Sequence, residues 1–220
     1  MSTIVLDHQR VRIPDSFEDL AAFRHWARSE EFPETGRICY LDGEVWVDMS
    51  KEQFAHNQIK GEMTSVLTPL AKRGQRGRFF PDGYLLSNTQ ANLSTNPDGI
   101  YVSGQTLGSG KVELVEGAEE GFVELHGTPD MVLEIISPSS VEKDTVILFG
   151  LYWKARIREY WLVDPRGDSL EFTIFRHAAK GYVPVRAVDG WVKSMVFGKS
   201  FRLTQRHDAH GYPEFTLAVR

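Results

Sequence analysis

Asp98 and Glu134 are the residues whose type and setting point first to chemistry. Glu134 interrupts the apolar run Met131-Val132-Leu133-Glu134-Ile135-Ile136, bounded by Pro129-Asp130 on one side and Ser137-Pro138-Ser139-Ser140 on the other. A β-branched run so punctuated has the pattern of a strand buried on both faces. A lone carboxylate in such a strand is costly unless it meets a cation, a metal or hydrogen-bond donors. Asp98 follows Pro97 and leads into Gly99-Ile100-Tyr101-Val102, a short strand with an acid at its start; taken alone, it reads as a turn or cap residue. Taken together, two acids at or inside neighbouring strands are what a divalent cation needs, hard oxygen ligands on rigid backbone with waters completing the octahedron. Asp130 shares the face of Glu134 but lies four residues away, about 13 Å along a strand, too far to hold one ion with it. Metal-assisted phosphodiester hydrolysis also calls for a cation near the attacking water, commonly a lysine. Two residues past Glu134, on its face, stands Ile136 instead.

The elements that position these acids are legible around them. Helical spacing from Val141 to Arg156 places Leu148, Leu151, Tyr152 and Ala155 on an apolar side and leaves Lys143, Lys154 and Arg156 mostly toward water. The serines before it are natural N-caps. Ile157 to Pro165 is a second strand, so strand, helix and strand predict a right-handed parallel crossover that lays it beside the strand of Glu134. Upstream, Pro14-Asp15-Ser16 caps a helix packing through Phe17, Leu20, Ala21, Phe23 and Trp26. Asp42-Gly43 between Arg37–Leu41 and Val45–Met49 is the strongest hairpin signal in the chain. A helix over 51–72 follows, with Ile59, Met63, Val66, Leu67 and Leu70 on one face and Pro69 set to kink or shorten its end. His56 lies on that face, one turn before Lys60; it is either a core-edge histidine satisfied by a backbone carbonyl or a catalytic or ligand group. The basic turn Lys72, Arg73, Arg76, Arg78 is either a solvated connector or a phosphate contact.

Arg78–Phe80 and Tyr84–Leu86 read as strands, residues 87–96 as a polar loop, and 103–128 as a Gly- and Glu-rich flap or insertion with an edge strand at Lys111–Val115. Arg166-Gly167-Asp168-Ser169 is a turn, and Leu170–Phe175, Tyr182–Ala187, Trp191–Val196 and the set from Phe201 to Val219 supply further strands. The expectation is a mixed α/β fold with one central sheet flanked by two or three helices. Residues 1–220 are expected to form one domain, with 1–15 an N-terminal arm and 176–220 a C-terminal β elaboration.

The totals narrow the classes. With 25 basic against 30 acidic residues the net charge is -5, which disfavours a whole-surface grip on nucleic acid and leaves local basic patches. The single cysteine, Cys39, excludes an intramolecular disulfide framework and a cysteine zinc cage, and fits a cytoplasmic location. No secretory leader and no membrane span are expected.

Pro97-Asp98, the block from Pro129 to Ser139, and Arg158-Glu159-Tyr160-Trp161-Leu162-Val163-Asp164-Pro165 together resemble the Uma family of restriction endonucleases, common in bacteria and part of the PD-(D/E)XK nuclease superfamily. The hairpin Asp42-Gly43-Glu44, Met49-Ser50 and His56 are similar to that family's amino-terminal block, and the resemblance runs from about Phe17 to Val219. It implies a restriction-endonuclease-like mixed sheet flanked by helices, Mg²⁺ or Mn²⁺ on Asp98 and Glu134, and hydrolysis of DNA phosphodiester bonds. It also implies a lysine four residues beyond Asp144, where this chain has Leu148, and a glutamate where it has Cys39. On an α-helix Lys143 and Lys154 are offset from Leu148 by about 140° and about 120°, so neither points the same way. The expected enzyme is thus a metal-dependent endonuclease with catalytic residues Asp98, Glu134, His56 and Lys60, with Ser137 and Ser139 positioning a helix or a phosphate. A homodimer would suit cleavage of both strands. The competing expectations are an inactive nuclease-fold binding or scaffolding domain and a hydrolase of a smaller phosphoester.

Overall fold

The computed structural model describes residues 2–6, 9–14, 16–33, 36–73, 77–119, 121–167 and 169–220. Asp15 of the expected helix cap, Arg76 of the basic turn and Asp168 of the later turn lie outside them. Strands β1 (Ser2–Leu6) and β2 (Gln9–Ile13) pair antiparallel. Helix α1 (Leu20–Ala27) is capped by Asp19, whose Oδ1 accepts from the Ala22 N–H at 2.8 Å, four residues later than the expected cap. Strands β3 (Arg37–Leu41) and β4 (Glu44–Asp48) close on Asp42-Gly43 with Leu41 opposite Glu44. Both turn residues have positive φ, 52° and 104°, the demand of a two-residue turn that suits Asp-Gly. Helix α2 (Phe54–Lys72) runs three residues past Pro69, so the proline does not end it.

Strands β5 (Gly77–Pro81) and β6 (Leu85–Asn88) part into different sheets. Residues 87–96 are not a loop throughout: β7 (Leu93–Thr95) folds back on β6, and the buried Ser87 and Ser94 hydroxyls bond each other at 2.8 Å. Strand β8 (Gly99–Ser103) leads into the short α3 (Gly104–Gly108). The segment expected as a flap or insertion holds a hairpin of β9 (Val112–Glu116) and β10 (Phe122–Gly127), with β9 at a sheet edge as expected. Then come β11 (Met131–Ile135), a π-helical turn over Lys143–Ile147, α4 (Leu148–Lys154) and β12 (Glu159–Asp164). Strands β11 and β12 are parallel, Met131 opposite Glu159, as the crossover requires. Strands β13 (Glu171–Ala178), β14 (Gly181–Pro184), β15 (Val192–Ser194), β16 (Lys199–His207) and β17 (Pro213–Val219) complete the chain.

The fold is mixed α/β, but its strands divide mainly between two six-stranded sheets, ordered β4-β3-β7-β6-β10-β9 and β14-β13-β12-β11-β8-β5, with β15-β16-β17 as a smaller third. Side chains alternate across the second sheet. Met131, Leu133 and Ile135 join Ile59, Met63 and Leu67 of α2 and Trp161 in one apolar cluster. Val132 and Ile100 join Leu86 and Leu125 of the first sheet and Leu148, Leu151 and Tyr152 in another. Glu134 has the parity of Val132, and Asp98 that of Ile100, so both acids face the layer between the sheets.

Candidate active site

The antiparallel ladder of β11 and β8 runs Met131↔Tyr101, Val132↔Ile100, Leu133↔Gly99. One step further, Asp98 stands opposite Glu134, where facing Cβ atoms in such pairs are about 5 Å apart. The Ile135 N–H donates to Asp98 Oδ2 at 2.8 Å, fixing that carboxylate across the end of the ladder. Both acids are buried. Asp98 is also faced by His56 Nε2 at 3.2 Å from Oδ2 and by Arg37, which donates to Oδ1 at 3.2 Å. Burial pushes the Asp98 carboxyl up, but His56, Arg37 and the Ile135 N–H outweigh it and hold it below its ordinary value.

His56 is not satisfied by a backbone carbonyl. Its Nδ1 lies 3.0 Å from Glu52 Oε1, so carboxylates face both ring nitrogens. Burial would lower its pKa; Asp98 and Glu52 raise it instead. Lys60 is kept one step from Asp98: its Nζ bonds Asp82 Oδ2 at 2.6 Å and pairs with Glu52. Arg37 closes the circuit, 3.6 Å from Asp82. Asp98, His56, Glu52, Lys60, Asp82 and Arg37 thus form a ring of alternating charge. Within it, Lys60 and His56 hold the Glu52 carboxyl at about 2 against the upward push of burial. The ring borders a cleft of about 500 Å³ whose lining includes Arg37, Lys51, His56, Asn96 and Ser137. Ser139 ties the cleft's far wall together, donating to Asp48 Oδ2 at 3.0 Å and lying 3.1 Å from both Ser50 and Ser137 hydroxyls.

Glu134 has different company. Tyr152 donates its hydroxyl to Oε1 at 2.6 Å. Lys143 and Asp144 lie on the same side, with Lys143 Nζ 3.2 Å from Asp144 Oδ1. That oxygen has an ion-pair neighbour but no donor aimed at it: it is buried without a hydrogen bond. Burial pushes Glu134 well above its ordinary value, Lys143 pulls it back only in part, and Asp144 and Asp98 add to the push. Asp144 is raised by burial too, against Lys143. The ion pair that Lys143 makes here is with Asp144, so an ionised Glu134 has only the Tyr152 hydroxyl and the more distant pull of that ammonium against its charge. A proton or an added cation must meet that charge.

One expectation changes here. Lys143 is not turned to water: it is 8% exposed and paired with Asp144. Leu148 is fully buried in the apolar cluster, while Lys154 is half exposed, 3.4 Å from Asp42. Asp130 is a structural group, accepting from the Ser103 N–H at 2.7 Å and from Arg158 at 2.9 Å. Cys39, where the resemblance asks for a glutamate, is buried with Sγ 3.2 Å from Thr95 Oγ1. Sequence reasoning missed Arg37, Asp144 and the Tyr152 hydroxyl. The Lys143-Asp144 pair beside a capped helix start was the one available signal for the second of these.

Among the described residues no three His, Cys, Asp or Glu side chains converge as a ready-made metal cage. The donor set still fits a hard dication of the magnesium type, which takes one or two carboxylates and fills its other positions with water and substrate oxygens. The buried Asp144 Oδ1, left without a hydrogen-bond donor, is the observation that supports the fit.

A mixed sheet carrying a buried acid pair at the end of antiparallel strands, with a cleft alongside, has the arrangement of a restriction-endonuclease-like fold. The model of the family described as "Uma2: Putative restriction endonuclease" matches residues 20–206, and the chain belongs to that family. It is similar in fold to a crystal structure of "a putative nuclease belonging to DUF820" from Anabaena variabilis, with a TM-score of 0.60 and 20% identity over 82% of this chain and 90% of that one. No curated protein matches the chain in sequence. No helix among the described residues is long and apolar enough to cross a membrane.

Proposed function

We propose that the chain is a Mg²⁺- or Mn²⁺-dependent endonuclease that hydrolyses DNA phosphodiester bonds. The observation that carries this reading is the placement of Asp98 opposite Glu134, together with a buried Asp144 oxygen that no hydrogen-bond donor meets. Asp98 and Glu134 would hold the ion, which when bound supplies Lewis-acid polarisation of a phosphoryl oxygen and a more acidic water. The chain's own residues do the rest. The Ile135 N–H and His56 hold Asp98 in one orientation, and the Tyr152 hydroxyl does the same for Glu134. Arg37, partly exposed in the cleft, would meet a phosphate, as guanidinium groups do well. Lys60 acts through Glu52, keeping the partner of His56 ionised.

Incubation of supercoiled plasmid with Mn²⁺ tests the reading: nicked and linear products should form with the wild type, disappear with EDTA, and fall by at least about a hundredfold in Asp98→Ala. Intact plasmid at all dication concentrations sinks it. One observation favours a second reading, a binding domain without hydrolysis: Arg37 and His56 already meet the charge of Asp98. Plasmid retention without cleavage, unaffected by EDTA, is the outcome that would select it.

A further inference from the structure

The lysine that the resemblance asks for is absent at position 148, yet an ammonium is present among the acids, and the path by which it arrives is visible in the backbone. The helix after β11 begins with a π turn over Lys143–Ile147, and the Leu148 N–H bonds the Lys143 carbonyl, five residues back. In α-helical geometry those two residues would point about 140° apart. A turn that closes on the fifth residue narrows that angle, and single π turns of this kind recur at functional sites. The Leu148 side chain fills the apolar cluster, and the Lys143 side chain, one turn nearer β11, pairs with the buried Asp144. The other lysines of the region are committed elsewhere: Lys60 to Glu52 and Asp82, Lys154 to solvent beside Asp42.

We propose that the π turn relocates the site's cation, so that Lys143, and not a residue at position 148, is the catalytic lysine that stabilises charge on the attacking water and the scissile phosphate. This rests on the nuclease reading above. In the step it serves, a water oxygen forms a new bond to phosphorus and one P–O ester bond breaks. The proton released by the water goes to solvent, and the departing alkoxide takes one from solvent. Lys143 remains an ammonium throughout, and no electrons are exchanged.

The test compares the wild type with Lys143→Met, and with Lys143→Gln as a second variant that keeps a polar group should the first not fold. Two readouts are needed: Mn²⁺ affinity by calorimetry and single-turnover cleavage of plasmid. The expected result is Mn²⁺ affinity within about thirtyfold of wild type and a cleavage rate down by at least about a hundredfold, the order of loss seen when one charge-stabilising donor is removed. A smaller loss of rate overturns the assignment. So does a gain in Mn²⁺ affinity beyond about thirtyfold, which would mean that the ammonium stands where the ion should. Either outcome leaves the nuclease reading intact. A wild type that binds Mn²⁺ but cuts nothing removes that reading, and this one with it.

Discussion

Glu134 and Glu159 sit on neighbouring strands of the same sheet, each only 1% exposed, and they are opposites. Glu159 accepts four hydrogen bonds: Trp161 Nε1 at 3.0 Å and the Ser194 hydroxyl at 2.6 Å on one oxygen, the Met195 and Val196 N–H groups at 2.6 and 3.1 Å on the other. Three of those donors, from Ser194, Met195 and Val196, lie at or just past β15, so this carboxylate fastens the C-terminal strands to the main sheet. Glu134 receives the Tyr152 hydroxyl, and Lys143, the cation that offsets its charge, is ion-paired with Asp144. The contrast teaches that burial alone does not mark a functional carboxylate; a shortage of donors does.

The sharpest way to break the comparison is Glu134→Gln beside Glu159→Gln. The first should lower Mn²⁺ affinity and cleavage by at least about a hundredfold while leaving the urea midpoint equal or higher, because it deletes a poorly compensated charge. The second should cost about 3 kcal/mol of stability, since it puts an amide where four donors need acceptors. Equal loss of stability in both would erase the distinction.

Glu124 provides the pH test. It is buried, held by Arg24 at 2.6 and 3.0 Å and faced by Arg28 at 3.5 Å. Burial pushes its carboxyl up, and Arg24, Ser87 and Arg28 bring it below the ordinary 4.5. A lowered folded pKa stabilises fully above about pH 4.5 and stops doing so as pH falls through the folded value. The urea midpoint of Glu124→Gln should therefore trail wild type at pH 7 and converge on it toward pH 3. The smallest effect is expected at Gly43, where a side chain meets no neighbour but the φ of 104° disfavours one. Gly43→Ala should cost about 1 kcal/mol by denaturation and leave metal binding untouched.

The parts of this architecture that were legible in the sequence are those where local chemistry and tertiary outcome agree. Asp42-Gly43 specifies its turn through backbone conformation alone, and the apolar runs around Leu133 and Leu162 require a buried parallel pair. Asp98 and Glu134 could be paired because each sits at a known parity on its strand. Elsewhere tertiary context decided. Ser87 and Ser94 look like loop residues until their hydroxyls satisfy each other across a hairpin. Glu124 makes β10 look like a surface segment until Arg24, a hundred residues away, neutralises it. The π turn was invisible because one backbone bond, from Leu148 to Lys143 and not to Asp144, redirects a lysine that α-helical periodicity assigns to solvent.

The ring of six groups around His56 has a consequence for encounter with a substrate. With His56 carrying its proton, three positive and three negative members alternate and their sum is zero, so the field of the circuit cancels beyond roughly its own width. Such a mouth exerts little pull on a distant polyanion, and the protein's overall charge of -5 adds none. Capture of a phosphodiester would then depend on collision and close fit at Arg37, with association rates that change little between low and moderate ionic strength.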